Sequence, residues 1–246
     1  MTNEDLVIGR NAVTETLKAG RSVNKILVAK GSNDGSIKKI LALANEAKII
    51  VEFVERQKLD KICGGERHQG IIAQVAAIQY SGVEEILEIA ASKNQPPFIV
   101  LLDELEDPHN FGAILRTADA VGVHGVIIPK RRSVSLNSTV AKTSAGAMEY
   151  VKVAQVTNVA QTLKNLREEG LKVVGGDMDG ENIFSADLSG GIVLVIGNEG
   201  KGIRRLTREN CDLLVKIPMV GKINSLNASV AGAVLMYEIF KQRNFK

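Results

Sequence analysis

Short apolar runs alternate with amphipathic segments along most of the chain, and the two periodicities predict where strands and helices lie. In the first third, RNAVTETLKAG (10–20), GSIKKILALANEAK (35–48) and RQKLDKI (56–62) carry apolar residues at helical spacing. Between and after them, KILVAK (25–30), IIVEFV (49–54) and GIIAQVAAI (70–78) are compact apolar runs of strand length. Together they predict a small α/β unit. VEEILEIAAS (83–92) then predicts a short amphipathic helix, and the paired prolines of KNQPP (93–97) forbid regular structure. The pattern divides the chain into residues 1–78, a linker over 79–97, and residues 98–246.

From Phe98 onward the strand-like runs become almost wholly apolar: FIVLLD, VHGVII, LKVVGG, IVLVIG and LLVKIP. Near-continuous Val, Ile and Leu suit strands covered on both faces, and AILRTADAVG, NVAQTLKNLREEG and IRRLTRENC between them read as helices. A mostly parallel sheet with flanking helices follows, and such sheets bind ligands beyond the carboxyl ends of their strands. Three strand exits therefore hold the candidate chemistry.

After FIVLLD comes ELEDPHNFGAILRTADAVG, where Asp107 and Pro108 favour a turn, Asn110 is a good N-cap and Arg116 falls inside the next helix. Two readings fit: a capped helix with a solvated arginine, or an anion-binding helix start. After IVLVIG comes NEGKGIRRL, whose glycines at 197, 200 and 202 permit close backbone approach to a ligand. It has neither the GxGxxG spacing of a dinucleotide fold nor the GK[ST] of a P-loop. After LLVKIP comes MVGKINSLNASVAGAVLMYE, where Ser225 or Asn227 can cap a final helix and Ala228, Ala231, Gly232 and Ala233 let it pack closely. Turn chemistry before a helix and a binding loop both fit this stretch.

Composition narrows the partners only slightly. The chain has 246 residues, a formal net charge of +3 and 45% hydrophobic residues, ample for a packed core. No apolar stretch reaches membrane-spanning length, and MTNEDLVIGRNAV has no signal-peptide pattern, which predicts a cytoplasmic protein. Cys63 and Cys211 lie far apart in sequence and suit reduced, buried thiols. His68, His109 and His124 lack metal-ligand spacing, so no metal is expected. Aromatic residues are few, and any nucleic-acid contact would lean on Lys, Arg and backbone. Lys130, Arg131 and Arg132 form one basic strand-exit cluster, fit either for phosphate contact or for a solvated loop.

Taken together and in this order, DPHNFGAILRTADAVG, VIGNEGKGI and IPMVGKINSLNASVAGAVLMYE resemble the three signature motifs of the SpoU/TrmH class of RNA ribose 2′-O-methyltransferases, within the SPOUT superfamily. AKTSAGAMEYVKV (141–153) is similar to that family's pattern between the first two motifs. IGRNAVTETLKAG and ERHQGIIAQV resemble the substrate domain of the subgroup that modifies a guanosine in large-subunit ribosomal RNA. The resemblance implies a parallel-sheet α/β domain with a deep trefoil knot, preceded by a small ribosomal-protein-like α/β domain. It implies S-adenosylmethionine as methyl donor, held by Ile196, Gly197, Gly202, Ile217, Met219 and Leu226, and a homodimer formed through the catalytic domain. It makes Arg116 the catalytic arginine, with Asn110, Glu199, Ser225 and Asn227 as the other polar site residues. Because a guanidinium stays protonated at neutral pH, gripping phosphate and stabilising an alkoxide suit Arg116 better than removing a proton. A tRNA substrate, or a non-catalytic RNA-binding protein of ribosome assembly, are the alternatives to rRNA methylation.

Overall fold

A computed structural model describes residues 6–32, 34–75, 79–222 and 225–245, and no helix among them is long and apolar enough to cross a membrane. The chain forms two compact units, Met1–Gln79 with Ser135–Tyr150, and Tyr80–Val134 with Val151–Lys246.

The first unit is built on strands β1 (Leu6–Ile8), β2 (Val23–Ala29), β3 (Ile50–Val54) and β4 (Ile71–Val75), in the order β1-β4-β2-β3. β4 runs antiparallel to β1 and β2, and β2 runs parallel to β3. Period-two alternation puts Ile26 and Val28 of β2 into one apolar cluster and Leu27 and Ala29 into another. Helices α1 (Arg10–Lys18) and α2 (Gly35–Glu46) supply Val13, Ile37 and Ile40 to the first cluster, and α3 (Arg56–Ile62) supplies Leu59 to the second. Both sheet faces are thereby covered. The end of the last strand predicted for this unit, residues 76–78, lies outside the described residues.

The second unit carries α4 (Val83–Ser92), β5 (Phe98–Asp103), α5 (Pro108–Ala120) and β6 (Gly125–Pro129). The chain then makes α6 (Ser138–Thr143), which belongs to the first unit, before returning as β7 (Lys152–Val156) and α7 (Val159–Glu168). β8 (Lys172–Asn182), β9 (Ile192–Gly197), α8 (Arg205–Arg208), β10 (Leu213–Lys216) and α9 (Ala228–Asn244) complete it. The six strands are ordered β10-β8-β9-β5-β6-β7 and every neighbouring pair is parallel. This is the parallel α/β sheet that the apolar runs predicted. Ile86 of α4 and Leu163 and Leu166 of α7 pack with Ile99, Leu101, Val193 and Val195 in one core cluster. α9 packs on α5 and β9, and Gly232 lets it come close: a Cβ there would lie 2.7 Å from the Ile196 side chain.

Three elements depart from the sequence pattern. LKVVGG reads as a strand ending at Gly176, yet β8 continues to Asn182, with Glu181 and Asn182 paired to Val215 and Lys216 past a bulge. Gly180 permits this, because a Cβ there would sit 2.4 Å from the β10 backbone. IRRLTRENC reads as a full helix but yields only the four residues of α8. Its start is tied down by Arg204, and just past its end Asp212 N donates to Val173 O to begin β10. The third departure is Ser135–Tyr150, which the contiguous reading gives to the second domain. There Glu149 accepts from Thr16 and pairs at 3.0 Å with Arg21, both side chains largely buried.

Candidate active site

The order β10-β8-β9-β5-β6-β7 sets β5 beside β9, although three strands separate them in sequence. From β5 the chain moves outward through β6 and β7, then crosses to build the other half. Such a switch of direction leaves a crevice beyond the carboxyl ends of the two strands. Asp103 and Gly197, their last residues, are in register across it.

Beyond β5, the Asp107 side chain accepts from His109 N at 2.9 Å and Asn110 N at 3.3 Å, with Pro108 at the first helical position. Asp107 is thus the N-cap of α5, not Asn110 as the sequence suggested. Proline has no N–H to satisfy and fits the first turn, so the helix begins three residues earlier. Asn110 is left inside that turn, buried, with its amide free to donate to Glu199 Oε1 at 2.7 Å.

Beyond β9 the chain doubles back tightly. Asn198 and Gly202 exchange backbone hydrogen bonds, and a Cβ on Gly197 would meet Gly202 C at 2.3 Å, so only glycine fits there. Gly202 has φ +66, and the Asn198 side chain accepts from Gly200 N and Lys201 N. Glu199 is presented at the tip of this turn, exposed toward solvent.

The turn is clamped to the exit of β5 by side chains that motif reading did not single out. Asp103, fully buried, accepts from Arg204 N and Arg204 Nε, both at 2.8 Å, and Arg204 NH2 lies 2.6 Å from Asp103 Oδ1. Arg204 NH1 also donates to Glu104 Oε1, and Asn198 Nδ2 donates to Glu104 O. Burial opposes the Arg204 charge, but the Asp103 and Glu104 carboxylates outweigh it and raise its pKa above the ordinary value. The signal was present in FIVLLD: a carboxylate ending a buried apolar strand demands a charged partner.

The third segment follows β10. Ile217 is half-buried, while Met219 and Leu226 are exposed, as is Val220 between them. Asn227 is the N-cap of α9: its side chain accepts from Ser229 N at 3.0 Å and Val230 N at 3.4 Å. Ser225 is exposed just before it. Residues 223–224, inside the predicted loop, lie outside the described residues.

Of the predicted polar residues, the structure joins Asn110 to Glu199. It does not join Arg116 to them. Arg116 lies six positions beyond Asn110, about 240° round the helix, and is exposed with no ion-pair or hydrogen-bond partner among the described residues. Ile196 and Gly197 end β9 as expected, and no cluster of three or more metal-ligating side chains occurs among the described residues. Cys63 and Cys211 are free thiols, and burial pushes Cys211 up to about 12.

Residues 97–237 match the SpoU rRNA Methylase family, and residues 6–81 match the RNA 2′-O ribose methyltransferase substrate-binding family. A Bacillus subtilis protein assigned to the TrmH family of tRNA/rRNA methyltransferases, YacO, is 50% identical over 241 residues, covering 98% of this chain and 96% of that one. The solved SpoU methyltransferase AviRb from Streptomyces viridochromogenes, in complex with AdoMet, superposes with a TM-score of 0.80 at 25% identity, over 98% of this chain and 90% of that one. A TrmH/SpoU tRNA modifying enzyme from A. aeolicus is 32% identical with a TM-score of 0.55, but covers 60% of this chain and 76% of its own.

Proposed function

The chain belongs to the SpoU/TrmH family of RNA methyltransferases, and we propose that it methylates the ribose 2′-hydroxyl of a guanosine in large-subunit ribosomal RNA, using S-adenosylmethionine. The observation that carries this reading is the Asn110–Glu199 hydrogen bond at the switch crevice, on the tight glycine turn that follows β9.

The residues present fit the methyl donor. Met219, three residues beyond β10, and Leu226, just before α9, leave apolar surface open, as an adenine or thioether needs, and the tight 197–202 turn offers backbone polar groups. Ile196, Gly197, Gly202, Ile217, Met219 and Leu226 would hold it. When bound, it supplies an electrophilic methyl group on a sulfonium.

The chain's own residues do the rest. Asn110 holds the Glu199 carboxylate in one orientation, which suits a group that aligns the ribose. Arg116, a guanidinium cation, grips a phosphate and stabilises the oxyanion as the hydroxyl proton passes to solvent water. Ser225 and Asn227 orient the loop, Asn227 through its cap on α9. A cytoplasmic homodimer and a trefoil knot, with the chain beyond β10 threaded back to α5 and β9, belong to the same proposal. The packing of α9 on α5 and β9, away from the edge strand β10, supports that path.

Two observations favour an rRNA target. The N-terminal residues match a substrate-binding family, and the A. aeolicus tRNA modifying enzyme covers only 60% of this chain. A tRNA target is the second reading, since the B. subtilis relative is described as a TrmH family tRNA/rRNA methyltransferase, a name that covers either substrate. Mass spectrometry of nucleosides from separated rRNA and tRNA pools, with and without the gene, decides between them: loss of a 2′-O-methylguanosine from large-subunit rRNA alone is expected. Loss confined to tRNA would overturn the substrate assignment.

A further inference from the structure

β6 ends at Pro129, and Lys130 N donates to Val156 O at 2.8 Å as the last link to β7. Lys130, Arg131 and Arg132 therefore leave the sheet at the same carboxyl edge as the Asn110–Glu199 pair, one strand over from β5. The far end of their turn is also pinned, since Val134 N donates to Leu105 O at 2.8 Å. All three side chains are exposed.

Their charges are poorly neutralised. Among the described residues Lys130 and Arg131 form no ion pair, and Arg132 reaches only Glu104, at 3.8 Å. Glu104 is held more closely by Arg204, at 3.0 Å. Arg132 also occupies the left-handed region at φ +54, where glycine would serve the turn without Cβ strain. The turn gives no reason for an arginine there. The segment PKRRSVSLNS contains no aromatic residue, so it offers no surface for stacking bases. Adjacent fixed cations without aromatics suit phosphate oxygens.

We propose that the Lys130–Arg131–Arg132 turn grips RNA backbone phosphates flanking the ribose received at the β5–β9 crevice. The inference rests on the RNA methyltransferase reading above. It assigns these residues to substrate register and leaves methyl-donor binding to other elements. Strand exits β9, β5 and β6 are spaced by about 4.8 Å each, so a backbone entering the crevice passes within reach of the turn.

The test is fluorescence polarisation of a labelled RNA hairpin with the full chain, titrated at salt concentrations between about 50 and 200 mM. The variant K130Q/R131Q/R132Q should bind the hairpin at least about tenfold more weakly, with the slope of log affinity against log salt reduced by about 2. Arg131→Gln alone, a change on an exposed side chain, should reduce the slope by about 1. Calorimetric affinity for S-adenosylmethionine should be unchanged in both, which also reports that the fold is kept. Wild-type slopes in both variants would overturn the proposal while leaving the methyltransferase reading intact. A wild-type chain with no affinity for the hairpin would overturn both, and a defect seen only against an acidic protein would reassign the turn to a protein partner.

Discussion

Asn110 shows how a residue can be legible by type and misread by position. Its side chain would cap a helix, but Asp107 and Pro108 take the cap and the first turn, and Asn110 is released to hold Glu199. The Asp-Pro pair marks the cap locally, but nothing local assigns Asn110 to Glu199, because that partner is 89 residues away. Arg116 was legible only through the company of the other motifs, since an exposed helical arginine has a plain solvated reading. On the proposed role, replacing it with alanine would remove a transition-state contact and no packing. Arg116→Ala should lower kcat for RNA methylation by about 10³-fold, the scale of losing one oxyanion-stabilising group. S-adenosylmethionine affinity, followed by calorimetry, should stay within about threefold of wild type, and near-wild-type turnover would remove Arg116 from the chemistry. His124 makes a different prediction. Its Nδ1 accepts from Phe98 N at 2.9 Å, and burial, with Lys93 and Arg243 nearby, lowers its pKa. The unfolded ring takes up a proton near its ordinary value of about 6.5 while the folded ring resists. Stability is therefore full above that pH and declines as pH falls below it. Thermal melts from about pH 7.5 to 5.5 should show Tm falling, with a shallower fall in His124→Gln.

At the scale of elements, the apolar runs located β2, β3, β4, β5, β6, β8, β9 and β10, and β5, β6 and β9 read most plainly because burial on both faces leaves a continuous hydrophobic signature. β1 and β7 escaped it: one is three residues long, and the other carries Lys152 and Gln155 within a five-residue span. The second half of β8 escaped because GGDMDG has turn chemistry, and only the close approach of β10 makes it a strand. The tie between β5 and the β9 turn was foreshadowed only by the acid that ends FIVLLD. Asp103→Asn keeps the shape and removes the charge. Because Arg204 is partly exposed, its loss is screened, and the cost should be about 2 kcal/mol, below that of a fully buried pair. In calorimetry of the unfolding transition this is a fall in Tm of about 5 °C. The same substitution should raise KM for S-adenosylmethionine more than it lowers kcat, because it frees the 197–202 turn and leaves Arg116 in place. Arg204→Lys should restore less than wild-type affinity, since an ammonium cannot reproduce the fork that binds Asp103.

The whole molecule holds what no local pattern encodes. The chain order that puts β9 beside β5 and α9 against α5 arises from long-range packing, and so does the inclusion of Ser135–Tyr150 in the first unit. α9 also carries apolar residues all round: Leu235, Met236 and Ile239 are buried, while Val230 and Tyr237 are exposed, more apolar surface than one packed face requires. Arg116 is exposed on α5, the helix α9 packs against, and has no partner within its own chain among the described residues. Both facts follow if a second copy covers this helix pair and receives Arg116 at its own Asn110–Glu199 site. Each active site would then need two chains. Light scattering should give a mass near twice that of the 26.4 kDa chain. The decisive measurement mixes two inactive variants, Arg116→Ala and Glu199→Ala, unfolds them together and refolds them. A mixed dimer contains one site built from the two intact residues, so half of the dimers should recover one of two sites, about a quarter of wild-type activity. Each variant refolded alone should stay inactive. If Arg116 instead served the site of its own chain, every site in the mixed dimer would lack one residue, and mixing would restore nothing.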